Sequence, residues 1–206
     1  LDTPALVVDL DVLDHNIETV HSFFRDRDAK LRPHVEAHRC PAIAHRQLAA
    51  GGTVGGVSLT TLGEAEMFVQ NGLDDVFIAN QVVTGQKIAR LCALAHQAKL
   101  TVAADSAANV ADLSEAAVAN GVTLDVVVEG HTGLERCGVE PGRPAVDLAQ
   151  AIAGAGGLRF AGLMTYEGAI LAESRDELES QSRRWLQQLL DSREMVEAAG
   201  LDVELV

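Results

Sequence analysis

The segment Arg32-Pro-His-Val-Glu-Ala-His-Arg39 sets His34, Glu36 and His38 at alternate positions. In an extended strand the three side chains would share one face. At a rise of ~3.3 Å per residue, His34 and His38 would lie ~13 Å apart, too far for one ion to bind both. Adjacent pairs, ~6.6 Å apart, are within reach of a shared ion, as are all three if the chain curls after Glu36. The plain alternative is that His34 packs at a strand end and His38 caps the next helix. Arg136 lies in Gly133-Leu-Glu-Arg-Cys-Gly138, whose flanking glycines let the backbone turn tightly and aim one long cation. Its plain alternative is a solvated loop arginine. Tyr166 follows an apolar run and is either a site phenol or a core residue with its hydroxyl on a carbonyl.

What positions these residues is a repeated alternation of short apolar runs, turns and amphipathic stretches. Strand candidates are Ala5–Leu10, Leu31–Val35, Gly56–Thr60, Asp75–Asn80, Leu100–Asp105, Leu124–Glu129, Phe160–Thr165 and Leu201–Val206. Seven helices lie between them. The first is capped by Asp11 and buries Leu13, Ile17, Val20 and Phe24; the second begins near Pro41 and ends at Gly51-Gly52. Thr61 with Glu64, and Ser174 with Glu177, have the spacing of capping boxes. Nearly continuous apolar strands in strict β-α alternation imply a parallel sheet covered on both faces, with right-handed crossovers. An open doubly wound sheet and a (β/α)8 barrel both satisfy that pattern. The count of eight, and the absence of Gly-x-Gly-x-x-Gly after the first strand, favour the barrel.

In a barrel, reactive groups belong at the C-terminal strand ends. That filter selects His34, Glu36, His38, Thr60, Thr61, Asn80, Asp105, Glu129, His131, Arg136, Tyr166 and Glu167. Asp105-Ser106 also reads as a helix start, and Thr61 as its helix's cap.

The 206 residues carry 16 basic and 30 acidic side chains, a formal net charge of −14, which argues against nucleic acid or an anionic membrane surface as partner. No apolar run approaches the ~20 residues of a membrane helix. Cys40, Cys92 and Cys137 have no CxxC spacing and read as thiols of a reducing compartment, with cytoplasm the expected location. No linker divides the chain, so residues 1–206 read as one domain. The first residues read as a trimmed start, and Leu201–Val206 reads as a core strand at which an incomplete domain stops.

Asp2-Thr-Pro-Ala-Leu-Val-Val-Asp-Leu-Asp11, Arg32-Pro-His34 with His38, Thr61-Leu-Gly-Glu-Ala-Glu66, Ile78-Ala-Asn80, Arg136-Cys-Gly-Val139 and Tyr166-Glu-Gly168 occur in this order. Together they resemble the fold-type III pyridoxal-phosphate enzymes, in the D-threonine aldolase and D-serine dehydratase branch, whose barrel is that of the alanine racemase N-terminal domain. The resemblance implies pyridoxal phosphate, an amino-acid-like substrate and a homodimer. By it, Arg136 approaches the pyridine ring, Tyr166 and Asn80 line the cofactor site, and His34 and His38 shape the pocket around position 36. The departures fall on chemical positions. The family has an imine-forming lysine where this chain has Glu36, and a carboxylate cannot form an imine. His131 stands for aspartate, Glu135 for glycine, Ala169 for histidine and Arg39 for lysine. The family's Gly-rich phosphate loop and its C-terminal β-domain are not in this sequence.

Three functions compete. One is a lyase on D-β-hydroxy amino acids, altered at Glu36, with His38 and Tyr166 as further catalytic candidates. The second is an enzyme without pyridoxal phosphate whose divalent metal ion is held by Glu36, His131 and His34 or His38. In that reading the bland rival is an ion pair between Glu36 and Arg136. The third is a barrel that binds without catalysis.

Overall fold

The computed structural model describes residues 2–134, 136–168 and 170–206. Five parallel strands, β1 (Val57–Leu59), β2 (Asp75–Gln81), β3 (Lys99–Ala104), β4 (Leu124–Glu129) and β5 (Leu158–Met164), lie side by side in chain order. A doubly wound sheet reverses its strand order; this one does not, and the result is the arc of a TIM-type α/β barrel. Two further passes of chain extend the arc. His34 bridges Ser58 beside β1, and Leu205 bridges Gly162 beside β5. Gly162, at φ +148°, is needed there because a Cβ would run into the Leu205 backbone.

Seven α-helices cover the outside: α1 (Leu10–Arg25), α2 (Pro41–Ala49), α3 (Leu62–Gln70), α4 (Gly85–Ala95), α5 (Ala107–Asn120), α6 (Arg143–Ala153) and α7 (Arg175–Ala198). Strand alternation then divides the core. Val76, Ile78, Val102, Ala104, Val126 and Val128 face the helices in one large cluster. Ala103, Val127 and Ala161 face inward with Phe77, Met164 and Leu205. The Thr61–Glu64 capping box forms at the start of α3, and Ser174 caps α7.

Three expected strands differ. Residues 5–9 are exposed and form no ladder, with Leu6 fully, Val7 largely and Val8 half open to solvent. Asp9, rather than Asp11, caps α1, because α1 begins two residues early and Asp9 accepts from the amides of Asp11 and Val12. Its buried face is Ile17 and His21, not Val20: His21 Nδ1 bonds the Gly51 carbonyl at 2.8 Å, where α2 ends. The Leu31–Val35 pass makes only bridges, since a 3-10 turn at Val35–Ala37 curls it away from the ladder. Leu201–Val206 likewise contributes one bridge.

At the N-terminal end of the arc, every pass but β1 contributes a charged residue, and these interlock, Arg32 and Asp75 meeting over Gly56. Arg32 pairs with Asp75 at 2.8 Å, and Lys99 lies 3.8 Å from both Asp75 and Asp125. Arg159 makes two bonds to Asp125, of 2.7 and 2.5 Å, and pairs with Glu204 at 2.6 Å. The floor of the barrel is a chain of alternating sign.

Candidate active site

The C-terminal strand ends form the opposite face. Here β2 carries a two-residue irregularity between Ile78 and Gln81, which sets Asn80 on the exposed rim and brings Gln81, on the same inner face as Phe77, opposite Ala103. Gln81 donates across the small Ala103 of β3 to Glu129 of β4, at 2.6 Å. Glu129 is buried and also accepts from the Cys137 thiol at 3.0 Å. Two donors thus compensate a carboxylate taken out of water. Burial first, and the Glu129 carboxylate second, push the Cys137 thiol up, so it is a neutral strut rather than a nucleophile.

That strut fixes the loop after β4. Gly138 N–H donates to Asp105 at 3.1 Å, and Val139 N–H to the Glu129 carbonyl at 2.9 Å. Asp105 therefore pins the Arg136 loop rather than merely starting α5. Held so, Arg136 places its guanidinium 5.1 Å from the centre of the Tyr166 ring. Its pKa is raised by its hydrogen bond to the adjoining Cys137 sulfur and then by the Glu129 carboxylate, so it stays cationic. Both Arg136 and Tyr166 are exposed, leaving a cation and an aromatic face open to a ligand. Beside Tyr166, at the end of β4, lies a narrow crevice lined by Glu129, His131, Thr132, Cys137, Thr165 and Tyr166, with room for about one water.

The other expected site residues are placed as follows. Asn80 donates to the Thr60 carbonyl at 3.3 Å. His34 Nδ1 bonds Glu36 within the same turn, beside β1. Glu36 therefore pairs with His34 and not with Arg136. His38 faces away: its Nδ1 accepts from Cys40 N–H and its Nε2 bonds Gln47, both at 3.1 Å, anchoring α2. His38 thus lies at the start of α2, near the plain alternative weighed above, with Cys40 rather than His38 as the N-cap. His131 Nδ1 accepts from Gly133 N–H at 3.1 Å. Among the described residues no three His, Cys, Asp or Glu side chains converge closely enough to hold a metal ion. The trio Glu36, His131 and His38 is thus not assembled. Glu135 and Ala169, two of the departures named above, lie outside the described residues. Sequence reasoning missed Gln81, whose role depends on a bulge, and gave Glu129 and Asp105 no partner.

The family model for the alanine racemase N-terminal domain matches residues 8–206. The chain belongs to that family. A D-threonine aldolase of an Arthrobacter species is 41% identical over 170 residues, which cover 82% of this chain and 44% of that protein. A 3-hydroxy-D-aspartate aldolase of Paracoccus denitrificans is 34% identical over 208 residues, 100% of this chain and 54% of its own. The solved D-threonine aldolase of Filomicrobium marinum superposes with a TM-score of 0.95 at 42% identity, covering 100% of this chain and 55% of that one. The chain thus spans about half the length of these relatives. No helix is long and apolar enough to cross a membrane among the described residues.

In this racemase-like barrel the residues present do not fit pyridoxal phosphate held as an imine. A carboxylate, already bonded to His34, stands at position 36. None of the three lysines replaces it. Lys30 caps α1 by donating to the Phe24 and Arg25 carbonyls, Lys99 belongs to the floor, and Lys87 is exposed on the first turn of α4 in the helical layer.

Proposed function

We propose that this barrel is the core of a lyase for D-β-hydroxy amino acids, altered at position 36 so that imine chemistry is lost. The observation that supports it is the extent of the likeness. Every element that builds the mouth, from the His34 turn to Tyr166, falls within the span shared with the two aldolases. The chain's own residues supply anion recognition at Arg136, an aromatic face at Tyr166 and a rim amide at Asn80. His34, held through Nδ1 by Glu36, presents Nε2, the arrangement that accepts a proton from a substrate hydroxyl. The homodimer and the cytoplasmic setting go with this reading.

The test is Glu36→Lys in the complete protein with added pyridoxal phosphate. The variant should gain a visible absorption band and a borohydride-reducible adduct, and should cleave D-threonine or 3-hydroxy-D-aspartate. No adduct and no affinity for either amino acid would leave a barrel that has diverged into a different binding role. The metal reading is favoured by no distance in the site, since His38 and His131 each already hold a backbone amide.

A further inference from the structure

Arg136 is carried by the connection between β4 and α6, residues 130–142, which holds four glycines. Three of the four meet α7. A side chain at Gly133 would run into the Trp185 indole, one at Gly130 would touch Leu189, and Gly142 N–H donates to Ser192 Oγ at 2.8 Å. The fourth, Gly138, has φ +98°, and a Cβ there would collide with the backbone of Gly130 and His131. The connection therefore doubles back on itself, closed by the bridge between Gly130 and Val139.

Trp185, Leu189 and Ser192 are spaced i, i+4 and i+7, so they form one stripe of α7. With no Cβ at the three glycines, the helix lies directly against the backbone of the connection. Ser192 is buried and its hydroxyl is fully used, accepting from Gly142 and donating to the Gln188 carbonyl at 2.8 Å. Gly142 is the N-cap of α6 and has no side chain of its own to hold that turn. Trp185 and Ser192 thus grip the two ends of the connection, ~10 Å apart along the helix. On the barrel side, Asp105 holds Gly138 N–H and the Glu129 carbonyl holds Val139 N–H. Arg136 emerges between these grips. The chain also runs from Tyr166 into α7, so one helix ties the arginine's loop to the strand end that presents its stacking partner.

We propose that Trp185 and Ser192 are positioning residues for Arg136: α7 clamps both ends of the connection and so sets the guanidinium over Tyr166. A loop held at both ends has less freedom to lose when a ligand orders its side chain. This rests on the reading that Arg136 recognises an anion.

Amide exchange and calorimetric affinity for D-threonine are measured on the complete protein. The variants are Trp185→Ala, Ser192→Ala, the conservative Trp185→Phe and Ser192→Thr, and Arg136→Ala alone and with each of the two alanine changes. In Trp185→Ala and Ser192→Ala the amides of His131, Gly138 and Val139 should exchange about tenfold faster, while those of β2 and β3 keep native protection. Trp185→Phe and Ser192→Thr should restore slow exchange. Affinity for D-threonine should fall about tenfold in each alanine variant, and no further once Arg136 is alanine, because residues that act through one another are not additive. Acceleration spread evenly over the strands, or native exchange throughout 130–142, overturns the proposal. So does an affinity loss that adds to that of Arg136→Ala. If D-threonine binds no form, the reading of Arg136 falls alone: local acceleration in both alanine variants still keeps the clamp, and its absence removes it.

Discussion

The two ends of the barrel solve the same problem, charge at the edge of an apolar interior, in opposite ways. At the floor, six charged side chains from neighbouring passes neutralise one another in sequence: Arg32, Asp75, Lys99, Asp125, Arg159 and Glu204. The arrangement sets each charge against an opposite one, and Asp125 is buried within it. At the mouth, charge is held by neutral struts. Glu129 is bound by an amide and a thiol, Asp105 by a backbone amide, and so Arg136 and Glu36 still face solvent with bonding capacity unspent. Pairing cations with anions stabilises a closed end; holding them with neutral donors keeps an end chemically open.

The comparison breaks most severely at Asp125. Asp125→Ala removes the bidentate acceptor of Arg159 and one of the two equidistant partners of Lys99 from a buried position. The expected loss is about 3 kcal/mol, the low end for a broken buried pair because Arg159 retains Glu204 and is 39% exposed. Denaturant unfolding measures it, and ligand affinity at the mouth should not change. A floor variant that weakens binding as much as it weakens folding would show that the two ends are not separate.

Gly133 tests the mouth's scaffold instead. The loop that aims Arg136 passes under α7, where the Trp185 indole fills the space a side chain at 133 would need, and Gly133 has φ +149°. Gly133→Ala should cost about 2 kcal/mol from strain and displacement. It should also shift the emission of the sole tryptophan to the red. Ligand affinity should fall with it. An unchanged emission maximum would mean the indole and the loop are not in contact in solution.

Much of this division was visible in the residues. The alternation gave five strands and seven helices near their observed bounds, because long apolar periods dominate local structure. The failures lie at the ends of the arc. Ala5–Leu10 has strand composition, yet a strand needs a partner to form a ladder, and composition does not reveal one. Val20 has the right hydrophobicity for the α1 face, but His21 reaches the α2 carbonyls and takes the buried place. The floor was legible in principle, since Asp75, Lys99 and Arg159 each begin an apolar run and Asp125 is the second residue of one. Their pairing needed register, which the alternation does not contain. His34, Glu36, Asn80, Arg136 and Tyr166 were placed at the correct end by strand polarity alone. The Gln81–Glu129–Cys137 strut was not, because the two-residue shift between Ile78 and Gln81 decides which level of the inner face Gln81 reaches, and alternation does not contain it.

A smaller effect is expected at the rim of α3. Thr61 accepts from the Glu64 amide while Glu64 reaches back to Thr61 N–H at 3.1 Å, and the same carboxylate pairs with Arg39 at 2.9 Å. Thr61→Ala should cost about 1 kcal/mol, the usual value of a lost N-cap, without altering ligand affinity. A measurable loss of binding would extend the functional rim from Asn80 to the cap.

The smallest effect is pH-dependent and distinguishes the rim from the helical layer. Burial raises the Glu64 carboxyl, but the Thr61 hydroxyl, the amides of Thr60 and Thr61 and the Arg39 charge outweigh it, leaving its pKa below the ordinary value. The Glu66 carboxyl is lowered by its bonds to Arg90, on the outside of α3 and α4. A depressed folded pKa stabilises the protein above the unfolded carboxylate value, near ~4.3, and that contribution is lost as pH falls through the folded value. Neither group should therefore change stability between pH 7 and about 5, and both should contribute to a decline below ~4.3. Each contribution should be under about 1 kcal/mol, because Glu66 and its arginine are partly exposed and Glu64 is held mainly by neutral donors. Glu64→Gln and Glu66→Gln, compared with the native chain in denaturant midpoints from pH 7 to pH 3, should each flatten the acid limb. Added salt separates them: it should weaken the Glu66 contribution, which rests on Arg90, more than that of Glu64, which rests on hydroxyl and amide donors. Equal salt sensitivity at the two positions would show that Glu64 is held chiefly by Arg39, and that the rim, like the floor, relies on paired charge.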